Sequence, residues 1–405
     1  MGPGGDRLRE RRGLRAHLPG HRGPRRLDAP RRRARGGAAH HGPHGAPPVR
    51  LDDPAALARV DPHGARDVLA AFPAQCAAAT RLRLDPPVAL ARPRAVVVAG
   101  VGGSASAGDL LAACAADRLG VPVLVHRGYD VPALVGPQDL VIAISYSGDT
   151  AETLAAAAAA RARGARVVAV TAGGRLGAQA AAEGWPRVTL PAALMPRMAL
   201  GYLFFALAEV LARAGLPVVD AGDVDEALAL LEVLARDLGP ATPASRNEAK
   251  RLALEIGDRV PVVYGGPSTA PLAYRWKTDF EENAKVFAVA GALPEMNHNE
   301  IEAWRGPRAR HLHLLLLRDR AEPAEIARRF ALLRELVGAA AGGVSETWAR
   351  GAGGLARRLG LAYLGQWTSY YLAILGATDP WAVPTLETLK RRLAAPGGDA
   401  AGAAP

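Results

Sequence analysis

A chain of 405 residues, 49% of them apolar, is long enough for two domains with full cores. No apolar run approaches the ~20 residues of a membrane helix, and residues 1–50 hold no hydrophobic segment that would read as a secretory leader. The net charge of +11 does not point to nucleic acid once it is located: residues 1–50 carry 13 Arg and 3 acidic groups, a net of +10, so the remainder nets +1 (11 − 10).

Residues 1–49 mix Arg, Gly, Pro and His without period and are expected to form a disordered basic tail. His40, His41 and His44 are weak candidate metal ligands there, and a solvated tail is the simpler reading. A translation start near Leu51, with the tail an over-long reading of a GC-rich frame, is a companion expectation. Helical signals then run from Asp53 to Leu82. Ala95–Gly100 is an apolar, β-branched run ending in glycine, which reads as a buried parallel strand. A helix from about Ser106 to Leu119 follows. Next come strands at Pro122–His126 and Leu140–Ser145, a helix at Thr150–Arg163 and a strand at Arg166–Thr171. A helix from about Arg175, a strand at Arg187–Leu190 and a helix at Met198–Ala214 complete this part.

Asp220–Leu238 reads as a connecting helix and Pro240–Ser245 as a linker. A second alternating unit has strands at Val260–Tyr264, His311–Leu317 and Gly343–Ala349. Its helices are expected at Ala270–Ala284, Pro323–Gly338, Leu355–Gly376 and Thr385–Leu393, before a frayed Gly/Ala tail. Short-looped strand–helix alternation implies α/β architecture with doubly wound parallel sheets. The expected division is 50–215, a connector at 216–245, 246–395, and a disordered tail at 396–405. Cys76 and Cys114 form no CxxC pair. They read as buried thiols of a reduced, cytoplasmic compartment.

In open parallel sheets ligands sit beyond the carboxyl ends of the strands. Two glycine-containing turns fall there. Gly100-Val101-Gly102-Gly103-Ser104-Ala105 allows close backbone approach and opens a helix whose N–H groups face an anion. It also satisfies GxGxxA, but a dinucleotide site needs an acidic residue closing the next strand, where His126 and Arg127 stand. Ser145-Tyr146-Ser147-Gly148-Asp149-Thr150 places three hydroxyls at a second helix start. Neutral donors there suit a phosphate that must bind and leave, while the bland alternative is an N-cap with spare hydroxyls. Glu282 is a carboxylate on a helix and His298 an imidazole in an Asn-rich loop. A base and a proton shuttle beside a phosphate cradle are what aldose–ketose isomerisation of a sugar phosphate needs. Spacing alone promotes neither residue, nor Lys390, above an ordinary surface group.

With these motifs assembled, the chain resembles the bifunctional phosphoglucose/phosphomannose isomerases of the sugar isomerase (SIS) superfamily. The resemblance rests on Gly100–Ala105, Arg127-Gly128-Tyr129, Ser145–Thr153, Thr171–Gly174, Pro196-Arg197 with Ala199–Tyr202, and Arg275-Trp276-Lys277. It continues through Glu282–Lys285, Pro294–Ile301, Ser369–Ala373, Asp379-Pro380 and Leu389-Lys390, covering about Leu51 to Leu393. It implies two SIS-type, flavodoxin-like α/β/α domains and a cofactor-free enzyme without a metal. The implied reaction interconverts fructose 6-phosphate with glucose 6-phosphate and mannose 6-phosphate. Gly102, Gly103, Ser104, Ser145, Ser147 and Thr150 would hold the phosphate. Glu282 would move the proton between C1 and C2, Arg197 would stabilise the enediolate, His298 would assist ring opening, and Lys390 would contact sugar oxygens. The resemblance also implies a homodimer in which the histidine reaches the partner's site. No nucleic acid or membrane partner is expected. Two departures are Met296 in place of the usual Leu, and Gln366 where an Asp is common before Trp367. The alternative reading is a non-catalytic sugar-phosphate sensor, which would need the phosphate site without Glu282 or His298.

Overall fold

The computed structural model describes residues 51–394; the expectations made for the two tails lie outside the described residues. The helical stretch after Leu51 is three short helices, α1 (Pro54–Val60), α2 (Ala65–Ala70) and α3 (Phe72–Ala79). Gly64 breaks the first pair at φ 71°. The Asp61 carboxylate accepts from the amides of Ala65 and Arg66 at 2.7 and 3.0 Å, which starts α2.

The first sheet comprises β1 (Val96–Ala99), β2 (Val123–His126), β3 (Leu140–Ile144), β4 (Arg166–Thr171) and β5 (Arg187–Thr189). The pairings between its strands are all parallel, in the order β2-β1-β3-β4-β5, the flavodoxin-like winding, whose switch point lies between β1 and β3. The strands were legible because β1 and β3 are buried on both faces. Val97, Val141 and Val167 face one layer, against α5 (Ala151–Ala162) and α6 (Gly174–Glu183). Val96, Ile142 and Val168 face the other, against α4 (Gly102–Ala116) and α7 (Leu200–Arg213). Helix α4 starts at Gly102, earlier than the expected Ser106. The glycines at 102 and 103 let the chain turn directly from β1 into the helix, with Gly102 at φ 58°. Ser104 therefore lies in the first helical turn.

Helix α8 (Ala221–Leu238) opens with a reciprocal capping box between Asp220 and Asp223. The sequence reading missed α9 (Glu248–Ile256), whose start is capped by the Asn247 side chain accepting from the Lys250 amide at 3.1 Å. The second sheet has β6 (Val260–Gly265), β7 (Val289–Ala292), β8 (Leu312–Arg318) and β9 (Gly343–Trp348) in the order β7-β6-β8-β9. It repeats the first four positions of the first sheet. Strand β7 was also missed. It is an edge strand of small residues with no alternation to announce it. Helices α10 (Ala270–Asp279), α11 (Ala324–Val337), α12 (Gly354–Leu375) and α13 (Pro384–Ala394) complete the chain.

One hydrophobic core joins the inner faces of both sheets. Val98 and Ile144 of the first sheet, Val263 and Leu315 of the second, and helices α7, α8 and α12 all contribute to it. Helix α12 is buried along nearly its whole length. It accepts the indole N–H of Trp276 on the Leu361 carbonyl at 2.9 Å. Gly365 makes this approach possible: a Cβ there would lie 2.3 Å from the indole nitrogen. Both cysteines are buried and unpaired. At the amino end of the second sheet, His313 is buried with Nε2 2.7 Å from Ser345 Oγ, and Ser345 donates to Glu255. Burial pulls the His313 pKa down to about 4. Among the described residues no helix is long and apolar enough to cross a membrane.

Candidate active site

Two turns beyond the carboxyl ends of β1 and β3 face each other at the switch point. Ser104, in the first turn of α4, accepts from the Tyr146 amide at 3.2 Å and so ties one turn to the other. Ser145 is buried. Its hydroxyl lies 2.8 Å from the Thr150 hydroxyl and accepts from the Gly148 amide at 3.1 Å. Thr150 occupies the N-cap position of α5, yet its side chain caps nothing. The hydroxyl is turned to Ser145 instead, so the simple N-cap reading does not hold. Ser147 is exposed and accepts only from the Asp149 amide, at 3.3 Å.

The hydroxyl turn is braced from behind by Thr171–Gly174. Gly148 sits at φ 79°, and a Cβ there would lie 1.9 Å from the Gly173 carbonyl oxygen; one at Gly174 would lie 2.3 Å from that of Ser147. Leu176 N donates to Gly148 O at 2.9 Å, and Ala172 N to Tyr146 O at 3.0 Å. The Tyr146 hydroxyl donates to Pro191 O at 2.7 Å and accepts from Leu194 N at 3.0 Å. The result is a rigid set of neutral hydroxyl and amide donors at the starts of α4 and α5, where helix dipoles favour an anion.

Arg197 links this cradle to the second sheet. Its backbone packs on Gly103, where a Cβ would come within 2.9 Å of the Arg197 nitrogen. Its carbonyl accepts from the Arg275 guanidinium, and Arg275 is itself paired at 2.8 Å with buried Asp279. The Arg197 side chain is only 3% exposed. Its Nε donates to Asn283 Oδ1 at 2.7 Å, and Nη2 donates to the carbonyls of Pro380 and Trp381 at 2.9 and 2.7 Å. Nη1 reaches Glu282 Oε2 at 3.4 Å. Burial lowers the guanidinium pKa, and the carboxylates of Glu282 and Asp279 oppose that shift. Burial likewise raises the Asp279 carboxyl, against the pull of Arg275.

Glu282 does not lie on the expected α-helix from Ala270 to Ala284. That helix ends at Asp279 and continues as a π turn, Phe280–Ala284. Such turns widen the helix locally and re-aim side chains. Here Asn283 points inward, donating to Ser369 Oγ at 2.9 Å, while Glu282 faces Arg197 with 30% of its side chain exposed. Lys285 closes the turn in the left-handed conformation at φ 55°. Its Nζ donates to Asn283 O at 3.2 Å and Asp379 O at 2.5 Å.

The other two expected site residues stand apart. His298 ends a short 3-10 turn after β7 and is exposed; Lys390 is exposed on α13. Neither has a hydrogen bond to Glu282, Arg197 or the hydroxyl turn among the described residues. Asn283, Lys285 and the backbone of 379–381 were not picked out from the sequence as site groups. The first two lie inside the Glu282–Lys285 motif, so adjacency was an available signal. Carbonyl acceptors carry no side-chain signature.

The second sheet repeats the turn geometry with different chemistry. Gly265–Thr269 follows β6 as Gly100–Ser104 follows β1, but Asp319 follows β8 where Ser145 follows β3. The Asp319 carboxylate is buried, accepts from Ser268 Oγ at 3.1 Å and Ala321 N at 2.9 Å, and pairs with Arg357 at 3.0 Å.

Residues 89–181 match the family model of the SIS domain, and residues 245–393 that of the bacterial phospho-glucose isomerase C-terminal SIS domain. A bifunctional phosphoglucose/phosphomannose isomerase from Caldicellulosiruptor bescii is 38% identical over 306 residues, 74% of this chain and 89% of that protein. The chain belongs to the bifunctional phosphoglucose/phosphomannose isomerase family. A second member, from Thermoplasma volcanium, is 32% identical over 78% of this chain and 96% of its own length. Among solved structures, a glucose-6-phosphate isomerase like protein from Thermus thermophilus superposes with a TM-score of 0.58. It covers 84% of this chain and 99% of its own at 24% identity, which supports the fold. Family membership accounts for the paired sheets, each wound in the same order.

Proposed function

We propose that the chain is an aldose–ketose isomerase that interconverts fructose 6-phosphate with glucose 6-phosphate and mannose 6-phosphate through a cis-enediolate. The observation that carries the reading is the Glu282–Arg197 pair, held by backbone packing beside a cradle of neutral donors. A carboxylate can remove the proton α to a carbonyl only where the enediolate charge is stabilised. Arg197 is fixed for that task, because its other bonds leave the Nη1 edge toward Glu282. Gly102, Gly103, Ser104, Ser145, Ser147 and Thr150 hold the 6-phosphate, remote from the reacting carbons. Glu282 carries the proton between C2 and C1. His298 passes a proton between ring oxygen and anomeric hydroxyl, and Lys390 contacts sugar oxygens.

Among the described residues the exposed His298 and Lys390 make no hydrogen bond to Glu282 within one chain, which favours a homodimer with shared sites. The proposed setting is the cytoplasm. The proposed division is residues 50–215 for the phosphate and 246–395 for the base, with 216–245 between them. No step calls for a cofactor. A sensor would have no use for an acid–base pair beside its ligand, so the Glu282–Arg197 contact speaks against that alternative. The test is a coupled assay with each hexose 6-phosphate, with and without chelator. Turnover of glucose 6-phosphate alone would narrow the proposal, and no turnover of either aldose would refute it.

A further inference from the structure

Five hydrogen bonds join the π turn and the segment Asp379-Pro380-Trp381 through two cations. Arg197 binds Asn283 Oδ1 and the carbonyls of Pro380 and Trp381. Lys285 binds the Asn283 carbonyl and the Asp379 carbonyl. Together they close a ring around the base of Glu282. The segment is anchored from outside as well. Asp379 Oδ2 lies 2.9 Å from His63 Nδ1, Asp379 Oδ1 accepts from the Trp381 amide at 2.8 Å, and the His63 ring stacks on Trp381 at 6.4 Å.

We infer that Lys285 is a positioning residue for the proton transfer: it ties the turn carrying Glu282 to segment 379–381 and so holds the Arg197 guanidinium against the Glu282 carboxylate. This rests on the reading of Glu282 and Arg197 given above. The left-handed backbone at residue 285 folds the side chain back across its own turn, which makes both carbonyls reachable from one ammonium. Arg197 itself links Asn283 of the π turn to the carbonyls of Pro380 and Trp381, and Lys285 supplies the second tie, to the carbonyl of Asp379. Without Lys285 the π turn and segment 379–381 are joined through Arg197 alone, so the guanidinium is no longer steadied from a second side and its 3.4 Å contact with Glu282 loosens.

The charged groups facing the ammonium are Glu282 from the π turn, Arg197 from the turn before α7, and Asp379, with His63 behind it. Partial withdrawal from water, with Arg197 close by, pulls the Lys285 pKa to about 8. Above that pH the amine loses its proton and its bonds lose their charge assistance. Turnover therefore falls as pH rises through the window near 8.

The experiment compares Lys285→Met and Lys285→Arg with the unmodified full-length chain. It reads kcat, KM and the pH profile for fructose 6-phosphate, together with hydrogen exchange across residues 377–384. Lys285→Met is expected to lower kcat about 10- to 100-fold, with KM within about threefold, because misplacement of a reacting group acts on the transition state. It also loses the alkaline limb and exchanges faster at 377–384. Lys285→Arg, which stays charged, restores most of kcat and moves the limb above about pH 10. Unmodified kcat and limb in Lys285→Met, or a rise in KM alone, overturns the proposal. Unchanged exchange at 377–384 overturns it independently of turnover. A chain that does not isomerise at all refutes the reading of Glu282, and the exchange result still decides the tie.

Discussion

Glu282→Gln separates catalysis from folding. The substitution keeps volume and leaves an amide oxygen able to accept the long 3.4 Å bond from Arg197 Nη1. The pair is stretched and the Glu282 side chain is 30% exposed. Such a pair contributes about 1 kcal/mol or less. Arg197 keeps its bonds to Asn283, Pro380 and Trp381, so its buried charge stays satisfied. Stability should therefore fall by no more than about 1 kcal/mol, a few degrees in Tm at most. The amide cannot take a proton from carbon, and losing a positioned base costs about 10²- to 10⁴-fold in turnover, or about 3–5 kcal/mol of barrier. Two readouts check this: glucose 6-phosphate formation through a coupled dehydrogenase, and solvent-deuterium incorporation at C2. Native melting with turnover and exchange within tenfold of the unmodified chain would refute Glu282 as the base. A Tm loss of ten degrees or more would show that the carboxylate is a structural support for Arg197.

Three further outcomes are expected. Ser147→Ala with Thr150→Ala should raise KM more than it lowers kcat, since each hydrogen bond to a charged phosphate is worth about 1.5–3 kcal/mol and lies far from the reacting carbons; an unchanged KM would place the phosphate elsewhere. Co-refolding inactive His298→Ala with inactive Glu282→Gln should restore partial activity in mixed dimers, each rebuilding one intact site; confirmed heterodimers without recovery would end the shared-site model. His313→Gln should reduce acid sensitivity. An unfolded imidazole binds a proton below about pH 6.5, whereas the folded one stays neutral down to about 4. The unfolded state thus holds more protons across that window, so stability rises with pH and is lost as pH falls from 6.5 to 4, by about 3 kcal/mol in all. Tm measured at pH 7 and 4.5 should converge in the variant, and equal acid losses in both proteins would assign the effect to other groups.

What the sequence made legible follows from how strongly each element is constrained. Strands β1, β3 and β4 are buried on both faces, so their residues form short continuous apolar runs bounded by turn residues. Strand β7 is Val289-Ala290-Gly291-Ala292 at a sheet edge. There Gly291 is required by Tyr264, whose ring carbon would lie 2.6 Å from a Cβ, and small residues leave no pattern to read. Helix α9 is only nine residues long, but besides the Asn247 cap its buried Ala249, Leu252, Ala253 and Ile256 recur at helical spacing, a signal that was available and passed over. At the site, hydroxyls on a glycine turn were readable because turn chemistry is local. The surroundings of Arg197 were not. Its partners are backbone carbonyls some 180 residues away, and only tertiary packing delivers them. The π turn was hidden for a related reason: Phe280–Ala284 has helical composition, and its widening depends on Asn283 being drawn toward Ser369 on α12.

Asp319 gives the duplicated architecture an asymmetry in ligand counting. Two turns of the same plan follow the first strands of two sheets wound alike, but one of them is already neutralised by a carboxylate from its own chain. That carboxylate is in place at every solute concentration, and it already occupies the donors of Ser268, Ala321 and Arg357. On the proposed reading, titration with a sugar phosphate should end at one equivalent per chain. Stabilisation by mass action then accrues once, as RT ln(1 + [L]/Kd), and enters through the first sheet. On that reading the second sheet carries within its own chain the anionic group that the first takes from solution.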